Sequence, residues 1–356
     1  GIGLAMTGNV MIDRNALGEP KNVVLDEHSD LDAFRQWASE GQVNGTRLWM
    51  QINHPGKQIP RFLSREPVAP SAIPLGRGLD KLFATPRELS DSEIRGIIDR
   101  FAFAAGRAKE TGFSGVQIHG AHGYLVSQFL SPRHNQRTDE WGGSPGNRRR
   151  FVLAVYQAIR ETVGPDFPVG IKLNSADFMK DGFTEEESMD VVRALSGAGI
   201  DLIEISGGTY EAPAMTGFKA KAKNGREAYF LEYADAVRRH TDVPLMVTGG
   251  FRSGSAMQQA LDSGATDLIG LARPVAVDPA LPQALLRDVD AKLPIKRPTT
   301  GLRNLDRMLM LDITYYESHL ARHGDGKKPK PGLSPWVTVA STFKSMGLNA
   351  FKPRRA

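Results

Sequence analysis

The sequence predicts an α/β protein, a (β/α)8 TIM barrel whose first βα unit is absent from the sequence, and three observations carry that prediction. Near-continuous apolar runs of strand length recur along the chain, capped amphipathic helical patterns separate them, and the two longest loops both follow predicted strands. Strands covered on both faces, or closed into a barrel, read as unbroken apolar runs, and their alternation with helices implies a parallel sheet.

Seven strands are expected: LAMTGNVMI (4–12), RLWMQIN (47–53), GVQIH (115–119), PVGIKLN (168–174), DLIEIS (201–206), PLMVTG (244–249) and DLIGLA (267–272). Of the helices between them, one opens on a capping box of Ser90 with Glu93, flanked by a Leu89–Ile94 staple. It continues in a stripe of Ile94, Ile97, Ile98, Phe101 and Ala105 and stops at Gly112. Thr184 with Glu187 repeats the box ahead of Met189, Val192 and Leu195, and Gly199 ends that helix. Residues 147–164 stripe at Phe151, Val155, Ile159 and Val163.

The loops at 54–86 and 130–149 far exceed the usual two to six residues, and in a barrel such excursions sit at the C-terminal face, where sites are built. The first run begins at residue 4, which leaves no room upstream for another βα unit, and seven strands would leave two unpaired edges. WVTVASTF (336–343) is weighed as an eighth strand; otherwise only helical segments are expected after Asp278. Residues 1–356 read as one domain, a barrel to about 285 with a helical extension from about 286.

Composition narrows the chemistry. The chain has no cysteine, so it can form no disulfide, thiolate-held zinc, iron–sulfur cluster or cysteine nucleophile of its own. The net charge of +5 suits anionic small molecules and falls short of a nucleic-acid-binding balance; the basic GDGKKPKPG and FKPRRA stretches read as solvated surface. No apolar run approaches the roughly 20 residues of a membrane span, and GIGLAMTGNVMID lacks a signal-peptide pattern. A cytoplasmic protein with a small-molecule substrate is expected, binding neither nucleic acid nor membrane.

Polar groups gather where the strands end: Gln51, His119, His122, Tyr124, Lys172, Gly249, Gly250 and Arg273. A barrel would bring all of them to one mouth. Glycine-rich turns after the last two strands are where phosphate-binding barrels hold phosphate. His119 and His122 form an H-x-x-H pair open to three readings: metal ligands, structural imidazoles, or donors to an oxygen gaining negative charge. A catalytic metal needs about three protein ligands, and no nearby Asp, Glu or third His supplies one. In the third reading Tyr124, with an ordinary pKa near 10, is a neutral proton donor.

The run GVQIHGAHGYLVSQFLSPRHNQRTDEWGGSPGNRRRF (115–151) resembles the signature of the Old Yellow Enzyme family of FMN-dependent NADH:flavin oxidoreductases and ene-reductases. The resemblance extends through QINHPGKQ, VAPSAIP, PRELSDSEI, PVGIKLNSADF, EISGGTYEAP, VTGGF and GLARP, and so covers almost the whole chain. It implies that His119 and His122 bind a substrate carbonyl above the flavin and that Tyr124 protonates the α-carbon. It implies that Gln51 bonds the flavin pyrimidine edge and that Lys172, where many relatives have arginine, stabilises the reduced flavin. Gly249, Gly250, Ala272 and Arg273 would cradle the FMN phosphate, with Ala272 where relatives often have glycine, and Thr7 would flank the isoalloxazine.

The implied activity is a ping-pong hydride relay from NAD(P)H through non-covalently bound FMN to an activated alkene such as an α,β-unsaturated carbonyl. The absence of cysteine points to the single-barrel kind, without an iron–sulfur cluster. Relatives are often dimers or larger, which makes a homo-oligomer an open expectation. Two alternatives stand beside this reading: a truncated, catalytically impaired homologue acting as a binding protein, and a flavin-free phosphate-binding lyase or isomerase using Lys172.

Overall fold

The computed structural model describes residues 1–213, 227–291, 293 and 297–346. Its centre is one curled sheet of parallel strands: β1 (Leu4–Met11), β2 (Val23–Val24), β3 (Arg47–Asn53), β6 (Gly115–Gly120), β7 (Val169–Asn174), β8 (Leu202–Ser206), β9 (Leu245–Thr248) and β10 (Leu268–Gly270). The two-residue strands β4 (Val68–Ala69) and β5 (Arg87–Glu88) pair separately within the long excursion after β3. The sheet order is β10-β9-β8-β7-β6-β3-β1-β2, and among the described residues no pairing joins β10 to the far edge. All seven expected strands form. The eighth is Val23–Val24, a pair too short to read as a strand from sequence.

WVTVASTF is not a strand. It lies in the helix Pro335–Met346, where proline at the first position is preset for helix and overrides the β-branched residues that follow. Both predicted capping boxes form, at Ser90–Glu93 ahead of Asp91–Glu110 and at Thr184–Glu187 ahead of Glu185–Ala198, the latter ended by Gly199 at φ 87°. The segment expected as one helix over 147–164 begins earlier and divides at Arg149 into Pro145–Arg148 and Arg150–Val163. After β10 come the short helices Arg273–Val277 and Leu281–Arg287, then Arg303–Met308, Leu311–Gly324 and Pro335–Met346. Of the expected extension, positions 292, 294–296 and 347–356 lie outside the described residues.

The two faces of the sheet differ in chemistry. Outward residues such as Ile118, Ile171, Ile203 and Val247 join the large core beneath the helices. The inner face begins as an apolar floor of Trp49, Leu202 and Met246 with Leu4, Met6 and Leu268 packed against it. Trp49 fits because two neighbours lack side chains: a Cβ on Gly115 would lie 2.5 Å from its ring and one on Gly170 3.0 Å from it. Above the floor the registered rows turn polar, running Asn9–Gln51–Gln117 and His119–Lys172–Glu204. Among the described residues no helix is long and apolar enough to cross a membrane.

Candidate active site

Strand register decides which polar groups meet. In β1 one extra residue between Met6 and Asn9 interrupts pairing with β3, and the Thr7 hydroxyl accepts from Gln51 N (2.9 Å) while donating to Gly8 O (2.8 Å). Thr7 lies inside β1, at the bulge that its hydroxyl holds, rather than at the end of the strand. Gln51 donates to Gln117 (2.7 Å), Gln117 to Glu204 (2.8 Å), and Lys172 donates to the other oxygen of Glu204 (2.7 Å). Burying a carboxylate without partners is costly, and this one has a cation and an amide. An ammonium held this way is not the free amine a Schiff-base lyase requires.

His119 ends the same row, and the chain turns sharply after it. His122 has a left-handed backbone (φ 60°), held by its N–H donating to Asn174 Oδ1 (3.1 Å) and by a bridge to Thr209. That turn brings the His122 ring to 5.1 Å and the Tyr124 ring to 4.7 Å from His119, both edge-on. His119 Nδ1 accepts from Ala121 N (3.3 Å), so in the neutral ring the proton sits on Nε2. His122 Nε2 is bonded to Ser206 Oγ at 2.8 Å. Burial, with the Lys172 charge adding to it, drives the His122 pKa down to about 3, and burial, His122 and Lys172 hold His119 well below its ordinary value. Both imidazoles are neutral.

Tyr124 caps the short helix Leu125–Leu130, and its phenol reaches Tyr210 (3.0 Å) and accepts from Asn9 (3.3 Å). Burial raises the pKa of both tyrosines, so both keep their protons. Tyr210, Asn9, Gln117 and Glu204 escaped the sequence reading. Tyr210 lies in SGGTY directly after a strand, the one signal that marked it. Asn53, two residues past Gln51, is fully buried, and neither of its amide atoms has a partner among the described residues.

Around this group the two long excursions lock together. Lys57 bonds Ile73 O and His134 Nδ1 (both 2.8 Å), while Glu211 meets His134 (3.3 Å), accepts from Gly76 N (2.9 Å) and pairs with Arg133 (3.4 Å). On the other side of the mouth, Gly249 (φ 110°) and Gly250 (φ 93°) form a left-handed turn that a side chain would strain. A Cβ on Gly250 would also lie 2.5 Å from Glu227 O. Glu227 accepts from Arg252 N (2.5 Å) and Ser253 N (2.9 Å), just ahead of the helix Gly254–Asp262, which Ser253 caps by accepting from Ala256 N (3.3 Å). Ala272 precedes the helix that starts at Arg273, whose guanidinium lies 5.9 Å from the ring centre of Tyr316 on the helix Leu311–Gly324.

Residues 1–291 match the NADH:flavin oxidoreductase / NADH oxidase family. The chain belongs to this family. It is 41% identical over 310 residues to the NADH-dependent flavin oxidoreductase iliE of Neonectria sp. (strain DH2), covering 80% of this chain and 40% of that protein. It is 38% identical over 325 residues to the iliE protein of Hypocrea jecorina (strain QM6a), covering 82% and 80%. The chain therefore spans less than half of one such relative and four fifths of the other. Among solved structures it resembles a 2-naphthoyl-CoA reductase complex (TM-score 0.75, 28% identity, 83% of this chain and 46% of that one). It also resembles the old yellow enzyme homologue from Zymomonas mobilis (TM-score 0.67, 25% identity, 82% and 81%).

A flavin oxidoreductase of this family needs a place for its flavin, and the donor set here fits FMN. Gln51 and Lys172 offer an amide and a cation on neighbouring rows, and Gly249 and Gly250 place two residues without side chains at the end of β9. Thr248 Oγ1, just before them, is buried and has no partner among the described residues. The turn at Gly249–Gly250 and the start of the Arg273 helix are candidate places for the FMN phosphate.

Proposed function

We propose that the protein reduces electron-poor alkenes conjugated to a carbonyl, using non-covalent FMN and NAD(P)H. The observation that carries this reading is the convergence on the neutral His119 ring of a second neutral imidazole, His122 (5.1 Å), and a protonated phenol, Tyr124 (4.7 Å), above a polar belt. The chemistry a bound FMN supplies is hydride transfer, from NAD(P)H and then to the β-carbon of the alkene. Gln51 and Lys172 would bind its pyrimidine edge, and Gly249, Gly250, Ala272 and Arg273 its phosphate.

The carbonyl oxygen would take a hydrogen bond from His119 Nε2 and another from His122 Nδ1, the tautomer in which His122 Nε2 accepts from Ser206. As enolate charge grows on that oxygen the donors strengthen, which accelerates the step; losing one such donor costs about 10²–10³ in rate. Neutral donors suit a neutral substrate, because they bind the carbonyl modestly and its charged transition state well. Tyr124 then delivers the phenolic proton to the α-carbon, with Tyr210 positioned to return one.

Reconstitution with FMN followed by anaerobic half-reactions tests the reading. The reconstituted protein should be bleached by NADH or NADPH and recover its colour on mixing with 2-cyclohexen-1-one. Protein that takes up no FMN, or that is reduced but not reoxidised by the enone, refutes it.

A further inference from the structure

We propose that Glu204 is a positioning residue that sets which end of the Gln51 amide faces the flavin, through a one-way relay of hydrogen bonds. The inference rests on the FMN reading above.

An ionised carboxylate can only accept and an ammonium can only donate, whereas a glutamine amide does either depending on how it is turned. Glu204 Oε1 is taken by Lys172 Nζ (2.7 Å), and Glu204 Oε2 faces Gln117 (2.8 Å). Only the Gln117 Nε2 end can meet that oxygen; the reverse orientation would set two acceptors against each other. Gln117 Oε1 is then aimed at Gln51, which must answer with its own Nε2 (2.7 Å). The consequence at the end of the chain is fixed: Gln51 presents Oε1, an acceptor.

The members of the relay are buried, Gln117 completely and Glu204 at 3% exposure. A wrong orientation would therefore leave unpaired groups that solvent cannot satisfy. The flavin pyrimidine edge offers one donor, N3–H, between the acceptors O2 and O4. An acceptor at Gln51 selects that donor. Glu204 never touches the flavin in this scheme; it acts through Gln117.

The test compares FMN with N3-methyl-FMN, which lacks the donor, by titrating apoprotein and following flavin fluorescence. Wild-type protein should bind FMN about tenfold more tightly than the methylated analogue. Glu204→Gln offers a donor as well as an acceptor, frees both glutamines to turn, and should bring the ratio of the two dissociation constants towards one. Its effect on Lys172 bears on both flavins and cancels in the ratio. Gln117→Leu, which cuts the relay but keeps the Lys172–Glu204 pair, should do the same and carries the test if Glu204→Gln does not fold. Variants that weaken both flavins equally, leaving the ratio unchanged, would reduce Glu204 to a structural role and overturn the proposal. Wild-type protein binding both flavins alike would overturn it while leaving the FMN reading intact, and wild-type protein binding neither would end both.

Discussion

The phenol oxygens of Tyr124 and Tyr210 lie 3.0 Å apart, and both hydroxyls stay protonated because burial raises their pKa values. The pair links the turn after β6 to the loop after β8 and gives the proposed proton donor a second proton behind it. Tyr124→Phe should slow enone reduction by about 10²–10⁴ while sparing flavin reduction by NAD(P)H. Tyr210→Phe should slow only the enone step, and by less, since Asn9 still holds Tyr124. Stopped-flow measurement of the two half-reactions separates these effects; equal loss of both half-reactions in Tyr124→Phe would remove it as the donor.

The imidazole clamp has its own signature in pH. His119 is held well below its ordinary pKa and His122 near 3, so neither ring changes charge between pH 5.5 and pH 8. The single-turnover rate of enone reduction should therefore show no histidine titration across that range. A rate that falls with a midpoint near 6.5 would mean that one ring is protonated in the working enzyme.

Stability should follow the same groups in the opposite region of pH. His54, like His122, is buried and held neutral, its pKa pushed down to about 4 by burial. Below the unfolded value near 6.5 the unfolded chain binds protons that these folded rings refuse, so stability is complete above that pH and is lost as pH falls. Each ring contributes a loss of about 2 kcal/mol by pH 5. Urea unfolding between pH 7.5 and pH 5 measures the slope, and His54→Gln should flatten it.

The buried charges that join the two excursions give a test of their mutual dependence. Glu211 is surrounded by Lys57, His134 and Arg133, with Lys57 itself only 1% exposed. Glu211→Gln leaves those cationic and imidazole groups without their carboxylate and should cost about 3–5 kcal/mol. Urea unfolding with the m-value unchanged would place the loss in the folded state.

The proposed phosphate end of the site packs against the C-terminal helices. Ala276 and Val277 pack with Leu311, Tyr315 and Tyr316, and His323 Nε2 bonds Ala276 O at 2.9 Å. Tyr316→Ala removes the aromatic face beside Arg273, a contact of about 0.5–2 kcal/mol. It should weaken FMN binding up to about thirtyfold and leave riboflavin, which has no phosphate, nearly unaffected. Tyr316→Phe keeps a ring and should stay close to wild type.

Much of this architecture was legible in the chain because it is written locally. Apolar runs marked seven strands, and the Ser90–Glu93 and Thr184–Glu187 boxes marked two helix starts, since each signal spans only a few residues. His119, His122 and Tyr124 were legible for the same reason: five residues of turn bring them together. What escaped depends on distance. Glu204 lies 87 residues from Gln117 in sequence and Tyr210 86 from Tyr124, so only the pairing of β6, β7 and β8 shows that they meet. WVTVASTF, only a secondary candidate for a strand, lies in a helix that Pro335 opens.

The apolar floor under the site has an evolutionary consequence. Trp49 and its neighbours make the ground beneath Glu204 apolar, and among the described residues Lys172 and Gln117 satisfy that carboxylate. None of the three can drift alone. Among descendants of a common ancestor, a change at position 204 should arrive together with changes at 117 or 172, and lineages that keep the charge should keep all three. The floor thus turns one hydrogen-bonded belt into a single heritable unit.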